Sequence, residues 1–254
     1  MSVTREFAVI IIGDEILSGK RRDGHLVKAI ELLGKRGLAL SQACYVGDDP
    51  ARITELLKRS FASQAVVFSF GGIGATPDDH TRQCAAAALG VSVAEHPDAI
   101  AAMMAKPDFE LTVNRRKMAE FPVGARIIPN PYNQIAAFSC GPNFDHHFLP
   151  GFPEMAWPMM EWVLETHYAS AFHSQVVASE SIIIHDAGES TLIDMMNALL
   201  ARHPAIKLSS LPQHIPGGRL IELTLSGDPA QVPMAMAEAR AEVTRLGFRF
   251  TNKE

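Results

Sequence analysis

The sequence lacks several features that would indicate particular protein classes. It has only three cysteines among its 254 residues, Cys44, Cys84 and Cys140, and they are far apart and odd in number. We therefore expect neither a disulfide framework nor a paired-cysteine metal site. It also lacks a basic excess, since its formal net charge is -5. A nucleic-acid partner is not expected, because such proteins need a basic face that displaces counterions.

The sequence also lacks long hydrophobic runs. The apolar run Phe7–Ile12 is too short to cross a membrane. The N-terminus has no basic segment followed by the roughly 7 to 15 apolar residues of a signal peptide. Together with cysteines that are expected to stay reduced, these absences favour a cytoplasmic protein without a membrane partner. The content of 47% hydrophobic and 20% charged residues is that of a folded globular chain.

Strand and helix patterns alternate over roughly the first two-thirds of the chain. Phe7–Ile12 is rich in β-branched residues and predicts a strand buried on both faces, which is typical of parallel sheets. Further strands and helices follow at short intervals, up to a helix over residues 153–166, and residues 110–120 also have a helical pattern. This alternation predicts an α/β fold with a mostly parallel sheet and helices on both faces.

The last third of the chain has a pattern of its own. It predicts, in order, a strand, a helix, two strands, a helix and a short strand, at residues 176–185, 189–202, 206–211, 219–226, 229–246 and 248–250. This β-α-β-β-α-β order is that of ferredoxin-like α+β domains. We therefore predict two domains, residues 1–170 and 171–254.

The segment Gly71–Thr81, which reads GGIGATPDDHT, has the strongest functional signal. It follows a buried strand and precedes a helix, where ligands bind in parallel α/β sheets. Glycines let a phosphate approach the backbone, and free amides at a helix start attract anions. Asp78 and Asp79 disfavour an anion unless a cation such as Mg²⁺ lies between them and the phosphate. The segment is not a Walker A loop, because Gly-Lys-Ser/Thr is missing.

A purely structural interpretation of the same segment is available. Thr76 would be a helix N-cap, Pro77 the first helical residue and Asp79 the third, which resembles a capping box. That arrangement explains Thr-Pro-Asp-Asp without a ligand, but it leaves the glycines unexplained. The two interpretations are compatible, because one helix start could serve both purposes.

Four other segments are candidates for the site, and each also has a structural interpretation. Gly13-Asp-Glu follows the first strand, where acidic groups are either solvated or coordinated. Asp48 and Asp49 follow the second strand, and Asp49 is a good N-cap whereas Asp48 is less easily explained. Residues 149–155 (LPGFPEM) fit turn and helix-start chemistry. Residues 114–117 (NRRK) fit either a solvated helical turn or a phosphate clamp.

These motifs, in this order, resemble one family. The series GDEILSG, VGDD, GGIGATPDDHT, NRRKMAEFPVGARIIPNP and LPGFPEM is similar to the N-terminal region of the competence/damage-inducible protein A (CinA) family. That region belongs to the wider molybdopterin-binding superfamily. The resemblance covers about residues 6–165, and the β-α-β-β-α-β tail resembles the small domain that follows it in the same family.

The resemblance implies a three-layer α/β domain whose site lies at the glycine loop. Some family members hydrolyse the pyrophosphate of ADP-ribose with a divalent metal, and the molybdopterin relatives adenylylate molybdopterin with ATP and Mg²⁺. Asp79 and Asp48 match aspartates of the family. Ala75 stands where the family has proline. The C-terminal amidase domain of full-length members is not expected here, and the association of family members implies a homo-oligomer.

We therefore expect a metal-dependent nucleotide pyrophosphatase. Asp79 and Asp48 would be catalytic and hold the cation, Mg²⁺ or alternatively Mn²⁺ or Co²⁺, while Asn114 and Lys117 would stabilise developing charge. The phosphate would bind to the Gly72 and Gly74 amides and the Thr76 hydroxyl. The expected ligand contacts are Gly13, Asp14, Glu15, Gly71, Gly72, Ile73, Gly74, Thr76, Asp78, Thr81, Pro150, Gly151, Pro153 and Glu154. The alternatives are adenylyl transfer to a pterin or pterin binding, and a ligand-binding module without turnover.

Overall fold

The computed structural model describes residues 5–105, 110–174 and 177–253. The chain divides into two compact units, Met1–Ser174 and Gln175–Glu254. Each unit has its own hydrophobic core. The domain boundary predicted at residues 170/171 lies a few residues before this division. Val176, the first residue of the strand predicted over 176–185, lies outside the described residues.

The first unit alternates strands and helices. Its strands are β1 Phe7–Ile12, β2 Leu40–Val46, β3 Val66–Phe70, β4 Val93–Glu95, β5 Glu120–Pro122, β6 Arg126–Ile128, β7 Ala137–Cys140 and β8 His146–Leu149. Its helices are α1 Asp14–Leu17, α2 His25–Gly34, α3 Pro50–Phe61, α4 Thr81–Leu89, α5 Pro97–Met104, α6 Val113–Lys117 and α7 Pro153–His167. A short 3₁₀ helix, Ala169–Ala171, follows α7.

The central sheet has six strands in the order β2-β1-β3-β8-β7-β6. The first four are mutually parallel, and β7 and β6 are antiparallel to their neighbours. Every residue of β1 and β3 is buried, as the apolar runs predict. The mostly parallel α/β architecture is therefore confirmed. Because parallel strands end at the same edge of a sheet, the segments that follow β1, β2, β3 and β8 meet there.

Helix α3 begins where its N-cap residue predicts, and it buries one apolar face. The Asp49 side chain accepts a hydrogen bond of 2.8 Å from the amide of Arg52, so the predicted N-cap of α3 is confirmed. Ile53 and Leu57 are fully buried along one face of that helix, at the spacing of one turn. These contacts fix the start of α3, and with it the position of Asp48 at the end of β2.

Two predictions of local structure are wrong. Residues 110–120 do not form one helix, because Thr112 caps the short α6 and residues 120–122 pair with β4 instead. Thr76 is not a helix N-cap, and Pro77 is not the first helical residue. Helix α4 begins only at Thr81, with His80 as its N-cap. At residues 120–122 the pairing with β4 overrides the local pattern, whereas at Thr76 the Asp79 side chain closes a turn before the helix begins.

The second unit has the predicted β-α-β-β-α-β order. Its elements are β9 Ala178–His185, α8 Glu189–Arg202, β10 Ile206–Ile215, β11 Gly218–Gly227, α9 Val232–Arg245 and β12 Arg249–Lys253. The strands form an antiparallel sheet in the order β10-β11-β9-β12. The small α+β domain is therefore confirmed. Among the described residues of the whole chain, no helix is both long and apolar enough to cross a membrane.

Two adjacent histidines on β8 are buried in the first unit and point to different partners. His146 Nε2 lies 2.8 Å from the Ser60 hydroxyl. His147 lies 2.8 Å from the Ser139 hydroxyl through Nδ1 and 2.7 Å from the Tyr168 hydroxyl through Nε2. Burial lowers the pKa of His146 to about 4, and it lowers the pKa of His147 as well.

These histidines should make the first unit sensitive to acid. Between pH 6.5 and 4 the unfolded chain binds a proton at His146 that the folded chain does not, so the free energy of unfolding falls through this window. The loss from His146 is about 3 kcal/mol by pH 4. Urea unfolding at pH 7 and pH 4, followed by tryptophan fluorescence, measures it. His146→Gln should lose about 3 kcal/mol less than the wild type, and equal losses would contradict this assignment.

Candidate functional site

A cavity of about 540 Å³ lies where the carboxyl ends of the parallel strands meet. Its walls come from the segments after β1, β2, β3 and β8, together with Met118 and part of residues 130–136. Most of the ligand contacts expected from the sequence line it: Gly13, Glu15, Asp48, Gly71, Gly72, Ile73, Gly74, Thr76, Asp78, Asp79, Pro150 and Gly151. The four motifs therefore form one concave site, as ligand sites of α/β proteins do.

Asp79 holds the glycine loop in its shape. Its carboxylate accepts hydrogen bonds from the Gly74 amide at 2.9 Å, the Thr76 amide at 2.8 Å and the Thr76 hydroxyl at 2.5 Å. The Gly74 amide and the Thr76 hydroxyl are thus used inside the loop, which corrects their expected role as phosphate donors. The expected metal contact of Asp79 stays a prediction, since these bonds give its carboxylate a first role in loop geometry.

Thr81 forms hydrogen bonds to the backbone of the glycine loop and does not line the cavity. It is fully buried, its hydroxyl donates to the Gly71 carbonyl at 3.1 Å and its amide to the Gly72 carbonyl at 3.0 Å. Gly72 has a φ of +68°, and a Cβ there would lie 2.1 Å from the Thr81 hydroxyl. Only glycine fits this backbone so close to a neighbouring side chain. The expectation that Thr81 contacts the ligand is therefore corrected.

Three loop amides are left for a ligand. The amides of Gly72, Ile73 and Ala75 have no hydrogen-bond acceptor among the residues that the structure describes. All three residues line the cavity. Unpaired amides gathered in a glycine-rich turn form a concave anion-binding surface. Ile73 and Ala75, and not Gly74, therefore have amides available beside Gly72, and phosphate binding by this loop stays a prediction.

Acidic side chains gather beside this loop. The Asp14 amide donates to the Asp48 carboxylate at 2.8 Å, and the Asp48 amide donates back to the Asp14 carboxylate at 3.3 Å. Burial raises the pKa of Asp48, and the carboxylates of Asp14, Glu15 and Asp78 raise it further, against the effect of the Asp14 amide. Negative charge is therefore held here at a cost that a bound cation would remove. Asp14 does not itself line the cavity.

This acidic group fits a cation that shares its coordination with a ligand. Within residues 5–105, 110–174 and 177–253, no three His, Cys, Asp or Glu side chains form a metal-binding cluster. A metal held by protein ligands alone would need such a cluster. Mg²⁺ keeps several waters and binds through one or two carboxylates plus phosphate oxygens. Asp48, beside the glycine loop, suits that mode of binding.

The other predicted residues lie outside the cavity wall. Asn114 and Lys117 are exposed on α6, and the Lys117 carbonyl accepts a hydrogen bond from Arg82. Pro153 is the first residue of α7 and lines a smaller neighbouring cavity of about 130 Å³. Glu154 follows it in the first turn of the helix. The expected roles of Asn114 and Lys117 in charge stabilisation therefore find no support in their positions.

Arg21 is a cavity residue that the sequence did not single out. It is the one basic side chain that lines the cavity among the described residues. Its guanidinium donates to the Gly151 carbonyl at 3.1 Å and lies 5.6 Å from the centre of the Phe152 ring. The run Lys20-Arg21-Arg22 just after the first motif was the available signal. It could not be interpreted alone, because exposed basic runs are common on surfaces.

Arg82 was missed as well, and it acts on the loop from the protein interior. Its side chain is almost completely buried and donates to the carbonyls of Gly74 and Lys117. No sequence pattern indicates this role, since Arg82 stands in the first turn of α4, where a solvated arginine is ordinary. Its contacts join the glycine loop to the end of α6.

Comparisons with known proteins place this architecture in a family. Residues 8–169 match the family described as "Probable molybdopterin binding domain", so the chain belongs to that family. A CinA-like protein of Picosynechococcus sp. is 31% identical over 76% of this chain and 48% of its own length. A CinA-like protein of Synechococcus sp. is 28% identical over 94% of this chain and 58% of its own length.

A solved structure agrees with this assignment. The protein CinA with unknown function from Thermoplasma acidophilum has a TM-score of 0.58 and 27% identity, covering 63% of this chain and 98% of that one. The chain thus has CinA-like relatives, as the ordered motifs predicted. It spans about half the length of the curated relatives that it matches.

Proposed function

We propose that the cavity binds a nucleoside diphosphate ligand together with a divalent cation and hydrolyses its pyrophosphate bond. For ADP-ribose, water adds to one phosphorus and the bridging oxygen leaves with the other, which gives AMP and ribose 5-phosphate. The observation that carries the proposal is the meeting of unpaired loop amides with the acidic group around Asp48. Amides attract phosphate whereas carboxylates repel it, and a cation reconciles the two.

Different residues would bind the phosphate and the cation. The amides of Gly72, Ile73 and Ala75 would hold phosphate oxygens, and Arg21 would neutralise charge at the cavity wall. Asp48, with Glu15 or Asp78 beside it, would hold the cation. When bound, the cation would neutralise the repulsion between the carboxylates and the phosphates and polarise a phosphoryl oxygen.

Hydrolysis is tested with purified protein, ADP-ribose and Mg²⁺, Mn²⁺ or Co²⁺. We expect AMP release that requires a cation and is lost in Asp79→Ala, because the loop then loses its shape. Asp194→Ala, which removes an exposed carboxylate from α8 in the second unit, is the matched control and should retain activity. No AMP with any cation, and no difference between Asp79→Ala and the wild type, would contradict the proposal.

A second candidate is favoured by the family description, which names molybdopterin. In that case the same cavity would hold a pterin phosphate, alone or with ATP for adenylyl transfer. Thermal shifts with ADP-ribose, ATP and a pterin phosphate distinguish the two, because a ligand stabilises the state that it binds. Binding without any product would instead indicate a module without turnover.

A further inference from the structure

Part of the lining of the same cavity is apolar. Met118, Ile135, Phe152 and Met155 line it, and Asn133 is a polar residue among them. Phosphates do not suit such walls, whereas a flat ring does, since apolar side chains bind both faces of a ring well. We call these four apolar residues the apolar end of the cavity.

The hydrogen bonds of Asn133 fix which way its side-chain amide points. Its oxygen accepts from the Ile135 amide at 3.0 Å and from the Asn130 side-chain nitrogen at 2.8 Å. Two donors at one atom identify that atom as oxygen, so the orientation of the amide follows from the network. Asn133 therefore has no spare acceptor in the direction of these neighbours.

The side-chain nitrogen of Asn133 has only a weak hydrogen-bond acceptor among the described residues. Its partner among the described residues is the Met155 sulfur at 3.1 Å, and a thioether is a weak acceptor. An amide nitrogen carries two donor hydrogens, so at least one is available to a stronger acceptor. Asn130 differs: its nitrogen donates to Asn133 and to the Ile135 carbonyl, and its oxygen accepts from the Tyr132 amide. Asn130 is thus used in shaping the segment, and Asn133 has donor capacity left.

We propose that Asn133 determines ligand specificity by donating a side-chain hydrogen bond to an acceptor atom on a planar heterocycle that occupies the apolar end. This rests on the proposed function for the phosphate end of the ligand. The ligand class is then a phosphate ester of a heterocycle with a ring nitrogen or carbonyl oxygen at its edge. A sugar phosphate without a ring base would leave Asn133 and the apolar end without a partner.

The experiment compares AMP with ribose 5-phosphate, both with Mg²⁺, by calorimetric titration of the full chain. AMP carries the heterocycle, and ribose 5-phosphate has only the sugar and the phosphate. We expect the wild type to bind AMP more tightly. Asn133→Asp keeps the accepting oxygen and loses the donor, so it should weaken AMP binding about tenfold more than ribose 5-phosphate binding. The repulsion between the added charge and the phosphate is common to both ligands, so the ratio reports on the contact with the ring.

Asn133→Ser is the second variant, and it is informative even if Asn133→Asp folds poorly. Its hydroxyl can accept from the Ile135 amide as the asparagine oxygen does, but the side-chain amide donor is lost, so the preference for AMP over ribose 5-phosphate should fall about tenfold. Equal losses for both ligands in either variant would overturn the role of Asn133. If the wild type binds neither ligand, the proposed phosphate site itself has failed, which is a different result.

Discussion

Replacing Asp79 with alanine is expected to weaken the binding of ADP-ribose and Mg²⁺ by about 100-fold or more. The carboxylate accepts three hydrogen bonds that close the turn between Gly74 and Asp79. Hydrogen bonds to a charged group contribute about 1.5–3 kcal/mol each, and the loop must be ordered before its amides can hold a phosphate. Calorimetric titration measures the loss, and circular dichroism shows whether the unit stays folded.

Two further variants test the reason for that loss. Asp79→Asn keeps an oxygen for the Gly74 amide but places a nitrogen opposite the two Thr76 donors, so its affinity should lie between those of the wild type and Asp79→Ala. Asp194→Ala should bind like the wild type. If Asp79→Ala binds the ligand as tightly as the wild type, the role of Asp79 in shaping the loop is wrong.

Replacing Asp48 with asparagine should stabilise the metal-free protein and remove its response to Mg²⁺. Burial and the neighbouring carboxylates raise the pKa of Asp48, so its charged form is held at a cost at neutral pH. A raised carboxyl pKa makes the folded state more stable as the pH falls through it, and asparagine provides the uncharged form at every pH. Relief of about 0.5–1 kcal/mol corresponds to a rise in Tm of about 1 to 4 °C.

The Asp48→Asn variant should bind ADP-ribose, but Mg²⁺ should not increase the rise in Tm that the ligand causes. Thermal unfolding with ADP-ribose, with and without Mg²⁺, measures both effects together. Asp49→Asn is the matched control, because the neighbouring residue undergoes the same change and asparagine caps a helix as well as aspartate does. A lower Tm for Asp48→Asn, or a Mg²⁺ response equal to that of the wild type, would contradict the assignment.

The general position of the site could be predicted from the sequence. The motifs after β1, β2, β3 and β8 each follow a predicted strand, and in a parallel sheet such segments meet at one edge. Glu15, Asp48 and the glycine loop accordingly line one cavity. The order of strands and helices in the second unit could also be predicted, because each element has a hydrophobic pattern that is visible within its own stretch of sequence.

The finer roles could not be predicted, because they depend on the backbone conformation of the loop and on contacts between distant segments. Thr76 and Asp79 have the spacing of a capping box, yet their bonds close a turn before the helix begins. Asn114 and Lys117 match a phosphate clamp in composition, but α6 leaves them away from the cavity. The donor capacity of Asn133 becomes visible only when its partners are known. Self-association and cytoplasmic location stay predictions.

The most direct test of the central claim is a crystal structure with Mn²⁺ and a non-hydrolysable ADP-ribose analogue, with data collected for the anomalous signal of manganese. We predict a manganese peak beside the Asp48 carboxylate and a phosphate at the amides of Gly72 and Ile73. A phosphate bound away from residues 71–79, or a ligand in the cavity with no manganese near Asp48, would contradict the account.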